Sequence, residues 1–358
     1  MTNLEHTHPV LFVKLDGIGD YLFFRLFWPQ IMEVAKKRKE EISLLCSDSF
    51  LPLVEKYDKK YVKNYFNLDA AKKWKKARFL FFLPHYYKMF RLGWVGRLLW
   101  VKKWERAYNM QPIREVFVEK VMARVKSLQK VSNDPVNTLL APKEFYDDSI
   151  YTRLLSIPRD RFIVSFFQKL LEESLQHPFE YPTLSLPFSK QDIQATIRRK
   201  KLDKGYIVFV PFTSTPLRNW PLERFVFLAQ KLAERTCLPI VVIGKYKKVS
   251  HKVWRDNPHV IDLVNRTSLI EAMQLAAGAT YAVCSDTSLM HCALIGGAHT
   301  ISLSNGRCGE LFVNYPVDTG VKQKVFFPDP CNVQGIGRIE DIDQQLVWQY
   351  IQENWGLF

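Results

Sequence analysis

Residues 206–243 read YIVFVPFTSTPLRNWPLERFVFLAQKLAERTCLPIVVI. The apolar run 206–211 ends in a loop of small and polar residues, so it is predicted as a buried strand. Pro221 suits the first position of a following helix and Glu223 its first turn. That helix is expected to run to residue 236, ahead of a second apolar run at 239–243. Strand, helix, strand in this order is the building unit of a parallel α/β sheet.

The alternation continues downstream with a helix at 268–277, opened by Ser268 with Glu271 three residues on, a strand at 281–284, a helix at 288–295 and a strand at 300–304. Upstream, an apolar run at 10–15 leads through Asp16-Gly17-Ile18-Gly19-Asp20 into the apolar stretch 21–34, predicted as one buried helix. A strand at 42–46 follows. Prolines at 178, 182 and 187 and the basic stretch 198–204 put the link between two α/β domains there. The reading assigns residues 1–190 to a first Rossmann-like domain, 205–338 to a second, and the amphipathic stretch 339–358 to a terminal helix that packs back. A chain of 358 residues has room for two such cores.

Apolar residues make up 47%, aromatic 14% and charged 24%, which excludes the disordered and fibrous classes. Lys and Arg number 51 against 36 Asp and Glu, a net charge of +15 that favours phosphate-bearing partners: nucleic acids, nucleotide substrates or anionic membrane surfaces. Much of the excess lies in residues 72–106, where eleven basic residues face one acidic residue, Glu105, among ten aromatics. That mixture suits a membrane surface or a phosphorylated lipid, and equally a core strand at 79–83 followed by a helix with solvated lysines. The six cysteines (Cys46, Cys237, Cys284, Cys292, Cys308 and Cys331) show no zinc-type spacing and read as reduced thiols. With no basic signal region and no uncharged apolar run of membrane-spanning length, a cytoplasmic protein is expected, peripheral at most on the inner face of a membrane.

Three loops follow strands and can carry chemistry. In Asp16-Gly17-Ile18-Gly19-Asp20 the glycines let the backbone approach a ligand, and Asp20 lies at a helix start, where the dipole favours its ionised form. Such a carboxylate can act as a general base; it can equally be an ordinary cap. The glycines do not complete the dinucleotide-binding fingerprint, so a nicotinamide cofactor is not expected. The loop 212–221 places Thr213, Ser214, Thr215 and Arg218 ahead of a helix N-terminus, donors of the kind that hold a pyrophosphate. The third loop, Ser285-Asp286-Thr287-Ser288-Leu289-Met290-His291, joins a strand to a helix with hydroxyls, backbone amides and an imidazole.

Taken together, these loops resemble glycosyltransferase family 9, the bacterial heptosyltransferases of the lipopolysaccharide inner core. The family's Ser-Ser-x-Gly-Asp loop is matched by residues 16–20, its basic-x-Trp-Pro motif by Arg218-Asn219-Trp220-Pro221, and its Asp-[Ser/Thr]-Gly-x-x-His motif by residues 286–291. The likeness is strong over 206–304, fair over 10–35 and not legible over 50–200.

The resemblance implies the α/β GT-B fold, two Rossmann-like domains facing across a cleft, with the acceptor on the N-terminal side and the donor on the C-terminal one. It further implies inverting, metal-independent transfer of a heptose from ADP-heptose to a sugar hydroxyl of a lipopolysaccharide core or related glycan. On that basis Asp20 is the catalytic base, and Asp16, Gly17 and Gly19 lie on the acceptor side. Arg218, with Thr213 and Ser214, holds the diphosphate, while Ser285, Asp286, Thr287, Ser288 and His291 line the donor pocket. The expected partners are a nucleotide-sugar donor, a glycolipid or lipopolysaccharide-core acceptor and an anionic membrane surface, with no nucleic acid and no resident cofactor.

The chain departs from the family pattern at three places. Asp16-Gly17 stands where the family has two serines, Ser288 where it has glycine, and the loop 244–248 holds no carboxylate for a nucleotide ribose. Two alternatives therefore remain: the same fold using another nucleotide sugar, or a non-catalytic lipid- or nucleic-acid-binding protein on a transferase scaffold.

Overall fold

The computed structural model describes residues 7–67, 102–134, 146–159, 162–246, 251–254, 257–306, 309–313, 315–328 and 337–357. The chain forms two compact units, Met1–Thr183 and Leu184–Phe358.

The first unit is built on a six-stranded parallel sheet of β1 (His8–Lys14), β2 (Glu40–Cys46), β3 (Asn64–Asn67), β4 (Trp104–Asn109), β5 (Ser127–Asn133) and β6 (Arg153–Leu155). Its strand order is β3-β2-β1-β4-β5-β6. Val10, Leu11, Phe12 and Val13 are all fully buried, as expected of a strand covered on both faces. On one face Phe12 packs with Phe24, Trp28 and Tyr108. On the other, Leu11, Val13 and Ala107 pack against Val118, Val121 and Met122.

The predicted helix 21–34 is two helices, α1 (Ile18–Phe24) and α2 (Trp28–Lys37), joined by a 3-10 turn at Arg25–Phe27. Pro29 is the reason: it lacks an N–H to donate and is tolerated only in a helix's first turn, so a new helix starts one residue before it. The unit also contains α3 (Val116–Arg124) and α4 (Ile163–Leu175); Phe167 of α4 packs onto Phe24 of α1, and Phe162, just before α4, onto Phe23.

Most of the basic aromatic segment 72–106, including the strand expected at 79–83, lies outside the described residues. Its end belongs to the sheet. Trp104 opens β4 and is buried, Arg106 pairs with Glu40 of β2, and Lys102 lies 3.3 Å from Glu41.

The second unit repeats the architecture with β7 (Ile207–Val210), β8 (Ile240–Val242), β9 (Val260–Asp262), β10 (Tyr281–Ser285), β11 (His299–Leu303) and β12 (Gln323–Phe326). All pairs are parallel, in the order β12-β11-β10-β7-β8-β9, the doubly wound pattern of the first unit. Around the sheet lie α5 (Lys190–Arg199), α6 (Leu222–Ala233), α7 (Leu269–Ala277), α8 (Ser288–Gly296) and α9 (Gln344–Asn354).

Helix α5 occupies the stretch around which the sequence reading drew the interdomain link. Ser189 caps it by accepting from the Asp192 N–H at 3.1 Å, and Thr196 donates to Gln274 of α7 at 2.8 Å. Pro221 is the residue before α6 rather than its first helical position. Gly296 ends α8 against α7 so closely that a Cβ there would lie 2.1 Å from the Ala277 carbonyl oxygen. Val347, Trp348 and Ile351 of α9 join Phe225 and Leu228 of α6 in the core. Among the described residues, no helix is long and apolar enough to cross a membrane.

Candidate functional site

In a doubly wound sheet the first and fourth strands are neighbours whose following connections diverge to opposite sides, leaving a crevice at their carboxyl ends. In the first unit those strands are β1 and β4, with Val13 in register with Asn109. In the second they are β7 and β10, with Val210 in register with Cys284. Each group of candidate residues follows one of these strands.

Asp16, Gly17, Gly19 and Asp20 follow β1. Helix α1 begins at Ile18, so Gly17 is the capping residue and Asp20 the third helical one. The Asp20 carboxylate accepts from the Gly17 backbone N–H at 3.2 Å, which satisfies one of the free donors of the helix start. Gly17 has an ordinary φ of −77°. What restricts the position is space, since a Cβ would meet Asp20 Oδ2 at 3.0 Å.

Asp16 differs from Asp20. Its Oδ2 lies 2.5 Å from Lys14 Nζ, and the lysine is wholly buried over the Phe167 ring at 4.3 Å. Burial pushes the Asp16 carboxyl up to about 8; Lys14 opposes the shift and Asp20 adds to it.

The outer end of α1 is anchored by a buried cluster. Tyr21 donates to Asp58 at 2.8 Å, Arg25 binds both oxygens of Asp58, and the Tyr21 ring stacks on Phe50 at 4.1 Å between centroids. Burial and the Asp58 charge hold the Tyr21 hydroxyl well above its usual range, so it remains a donor. A helix anchored in this way holds its first turn, and with it Asp20, in one place.

In the second unit, Thr213 follows β7 and its N–H donates to Asn219 Oδ1 at 2.7 Å. The Thr213 hydroxyl is engaged within the loop, donating to the Thr215 carbonyl at 2.6 Å. Ser214 is exposed. Arg218, 28% exposed in its side chain, lies 3.6 Å from Asp286 and 3.5 Å from both Ser214 Oγ and Thr215 Oγ1. It thus joins the loop after β7 to the loop after β10.

After β10, Ser285 is buried and donates to the Pro211 carbonyl at 3.2 Å, stitching the same two strands together. Thr287 caps α8 by accepting from the Leu289 N–H, and Ser288 is the first residue of that helix. His291 is buried, its Nδ1 2.8 Å from the Tyr315 hydroxyl. Burial lowers its pKa to about 3, so the imidazole is neutral and brings no positive charge to the loop.

Trp220, two residues after Arg218, is a core residue. Its indole N–H donates to the Ile342 carbonyl at 3.0 Å, as does Arg224, and this fastens the start of α6 to the segment before α9.

One cluster has no counterpart in the sequence reading. Arg114, after β4, is fully buried, donates twice to Glu119 and once to Asp148, and lies over the rings of Tyr146 and Tyr151. Tyr151 donates to the same Glu119 at 2.9 Å, and Asn109 donates to Tyr151 at 3.3 Å. The members are up to 42 residues apart, so no local spacing marks them. Among the described residues no group of three or more His, Cys, Asp or Glu side chains is arranged to hold a metal ion.

The family model of glycosyltransferase family 9 (heptosyltransferase) matches residues 146–304. The match starts some sixty residues ahead of the stretch over which the likeness is legible by eye. Among solved structures, the E. coli heptosyltransferase WaaC with ADP is 19% identical, with 97% of this chain and 99% of that one covered and a TM-score of 0.63. A glycosyltransferase family 9 protein from Veillonella parvula is 14% identical, with 98% of each chain covered and a TM-score of 0.69. The E. coli ADP-heptose lipopolysaccharide heptosyltransferase II is 16% identical, with 97% and 98% covered and a TM-score of 0.63. No curated protein sequence matches the chain. Residues 146–304 are thus a glycosyltransferase family 9 (heptosyltransferase) domain, and the chain is a glycosyltransferase with the GT-B fold of the heptosyltransferases.

Proposed function

We propose that this protein transfers a heptose from ADP-heptose to a sugar hydroxyl of a lipopolysaccharide core or related glycan, with inversion and without a metal ion. The observation that carries the reading is the placement of Arg218, Asp286 and the N-terminus of α8 at the switch point of the second unit, in a fold shared with WaaC in complex with ADP.

As the bond between the anomeric carbon and the diphosphate oxygen breaks, negative charge grows on the departing nucleotide. The Arg218 guanidinium and the amides of the α8 first turn stabilise that charge more in the transition state than in the ground state. Thr213, Ser214, Ser285, Asp286, Thr287 and Ser288 shape the loops that hold those donors. His291, being neutral, acts by packing and through its Tyr315 contact rather than by charge.

Asp20 is the general base. It takes the proton of the acceptor hydroxyl while that oxygen attacks the anomeric carbon from the face opposite the diphosphate, which inverts the centre. The hydrogen bond from Gly17 keeps the carboxylate oriented before the proton arrives.

The test is transfer from ADP-heptose to a deacylated rough-type core oligosaccharide by wild type and Asp20→Asn. Asparagine retains the size and the hydrogen bond to Gly17, so ADP affinity and melting temperature should persist while turnover falls about 10²- to 10⁴-fold. Near-normal turnover by Asp20→Asn would sink the base assignment. Loss of wild-type turnover in chelator, restored by one divalent ion, would sink the metal-independent reading.

A second reading, the same reaction with another nucleotide sugar, is favoured by the loop after β8. At 244–246 it presents Gly-Lys-Tyr, with the Tyr246 ring stacked on Phe212 at 4.7 Å and its backbone bound to Asn265. Thermal shifts with ADP, UDP and GDP separate the two readings, because only the cognate nucleotide stabilises the second unit strongly.

A further inference from the structure

One buried cation and two carboxylates meet where β1 leads into α1. The Lys14 ammonium is wholly buried, 2.5 Å from Asp16 Oδ2, and lies over the rings of Phe167 and Phe24 at 4.3 and 5.5 Å. The Asp16 side chain is only 10% exposed. Asp20 reaches back to the peptide that joins Asp16 to Gly17, accepting its N–H at 3.2 Å. The two carboxylates therefore sit at either side of one peptide group and feel each other's charge. An aspartate at position 16, where glycosyltransferase family 9 has serine, is this chain's own addition to the loop.

The charge count decides how the cluster behaves. With Lys14 positive, one ionised carboxylate makes the group neutral, and a second leaves a net negative charge in a place nearly closed to water, which is costly. Asp16 is the more enclosed of the two. Its Oδ1 is buried with no hydrogen-bond partner among the described residues, whereas Asp20 makes its bond to Gly17 at the surface. Asp16 is thus the carboxylate that gives up its proton last. Burial pushes it up, Lys14 pulls it back and Asp20 adds to the rise, to about 8. Lys14 from β1 and Asp20 from α1 are the charged groups that act on it; α4 and the body of α1 contribute the Phe167 and Phe24 rings.

The influence between two charges is mutual. While Asp16 holds its proton, the Lys14 charge is not cancelled and weakens Asp20 as a base. Once Asp16 ionises, it cancels that charge, and Asp20 takes a proton more readily.

We propose that Asp16 is a positioning residue for the transfer, acting on Asp20 through Lys14 and the shared Asp16–Gly17 peptide, so that its ionisation strengthens the base and raises the rate on the alkaline side of neutrality. The proposal rests on the reading of Asp20 as the base and adds to it a second carboxylate that sets the strength of the first.

The experiment follows transfer from ADP-heptose to deacylated rough-type core oligosaccharide across the alkaline range by wild type, Asp16→Asn and Asp16→Ser. Each profile is scaled to its own rate at neutral pH, so that a general loss of activity or stability does not enter. The wild-type rate should rise about threefold between about pH 7 and 9, the gain expected from a base strengthened by about one pKa unit. Neither variant should show the rise, because neither asparagine nor serine ionises there. Carbon-13 NMR follows the carboxyl groups directly, with Asp16 and Asp20 assigned from the spectra of Asp16→Asn and Asp20→Asn. In Asp20→Asn the Asp16 titration should move to lower pH, since a neighbouring negative charge is gone.

A wild-type profile without the alkaline rise, or a rise that persists in both variants, overturns the proposal. So does an Asp16 carboxyl that titrates in the ordinary carboxylate range or takes no notice of Asp20→Asn. Failure of the base assignment reads differently: Asp20→Asn then keeps normal turnover and overturns both, whereas lost turnover in Asp20→Asn with unchanged profiles in the two Asp16 variants overturns this proposal alone.

Discussion

Arg218 Nη1 lies 3.6 Å from Asp286 Oδ2, linking the loop after β7 to the loop after β10 at the switch point of the second sheet. The separation is longer than a good hydrogen bond, so the guanidinium keeps donors for a second anion. Arg218→Ala should weaken ADP binding by about 1.5 to 3 kcal/mol, the worth of a charge-assisted contact, with little change in melting temperature because the side chain is partly exposed. Calorimetric titration with ADP checks this. Equal affinity in the variant would show that the arginine serves the loop alone.

Gly17 and Asp20 are coupled through space. In Gly17→Ala the new Cβ lies 3.0 Å from Asp20 Oδ2, and the backbone has no need of a positive φ there. The fold should therefore survive while the carboxylate is displaced. Turnover is expected to drop at least about tenfold, since a base must sit within hydrogen-bond reach of its proton. ADP affinity should stay at the wild-type value. A Gly17→Ala protein with full activity would mean that the carboxylate position is not critical.

Trp220 and Arg218 are two residues apart and should behave oppositely. Trp220→Phe removes the indole N–H that binds the Ile342 carbonyl, although Arg224 still satisfies that oxygen. A loss of about 1 kcal/mol from the hydrogen bond, plus a packing defect, should lower the melting temperature while ADP affinity is retained. Denaturant titration alongside calorimetry distinguishes the pair. Weakened ADP binding by Trp220→Phe at unchanged stability would contradict the structural role.

His291 predicts a pH dependence. Burial lowers its folded pKa to about 3, below that of an unfolded histidine at about 6.5, so the unfolded chain takes up the proton first. Stability from this group is complete above pH 6.5 and falls as pH drops from there toward 3, by up to about 1.4 kcal/mol per pH unit. His291→Gln, which cannot titrate, should lose this slope. Melting curves of both proteins from pH 7 to 4 should therefore converge on acidification, and parallel curves would show that His291 titrates normally.

The alternation of strand and helix was legible because each element here is decided by its own residues. The strands at 207–210, 240–242, 281–285 and 299–303 are short apolar runs between turn residues, and parallel strands covered on both faces leave that mark in any context. The loops at 16–20, 212–221 and 285–291 were legible for the same reason, since strand, small polar residues and helix start lie together in the chain. Strands β4, β5 and β6 escaped because WERAYN, SLQKVSN and RLL mix charged and apolar residues, and only their neighbours in the sheet make them strands.

Tertiary structure alone decided which of the legible residues are free to act. The motif from Arg218 to Pro221 does not reveal that its arginine turns toward Asp286 while its tryptophan belongs to the core, nor does the motif from 286 to 291 reveal a histidine held neutral by burial. A residue's type sets what chemistry it can offer; whether that chemistry is spent inside the protein depends on partners far along the chain, which only the fold brings within reach.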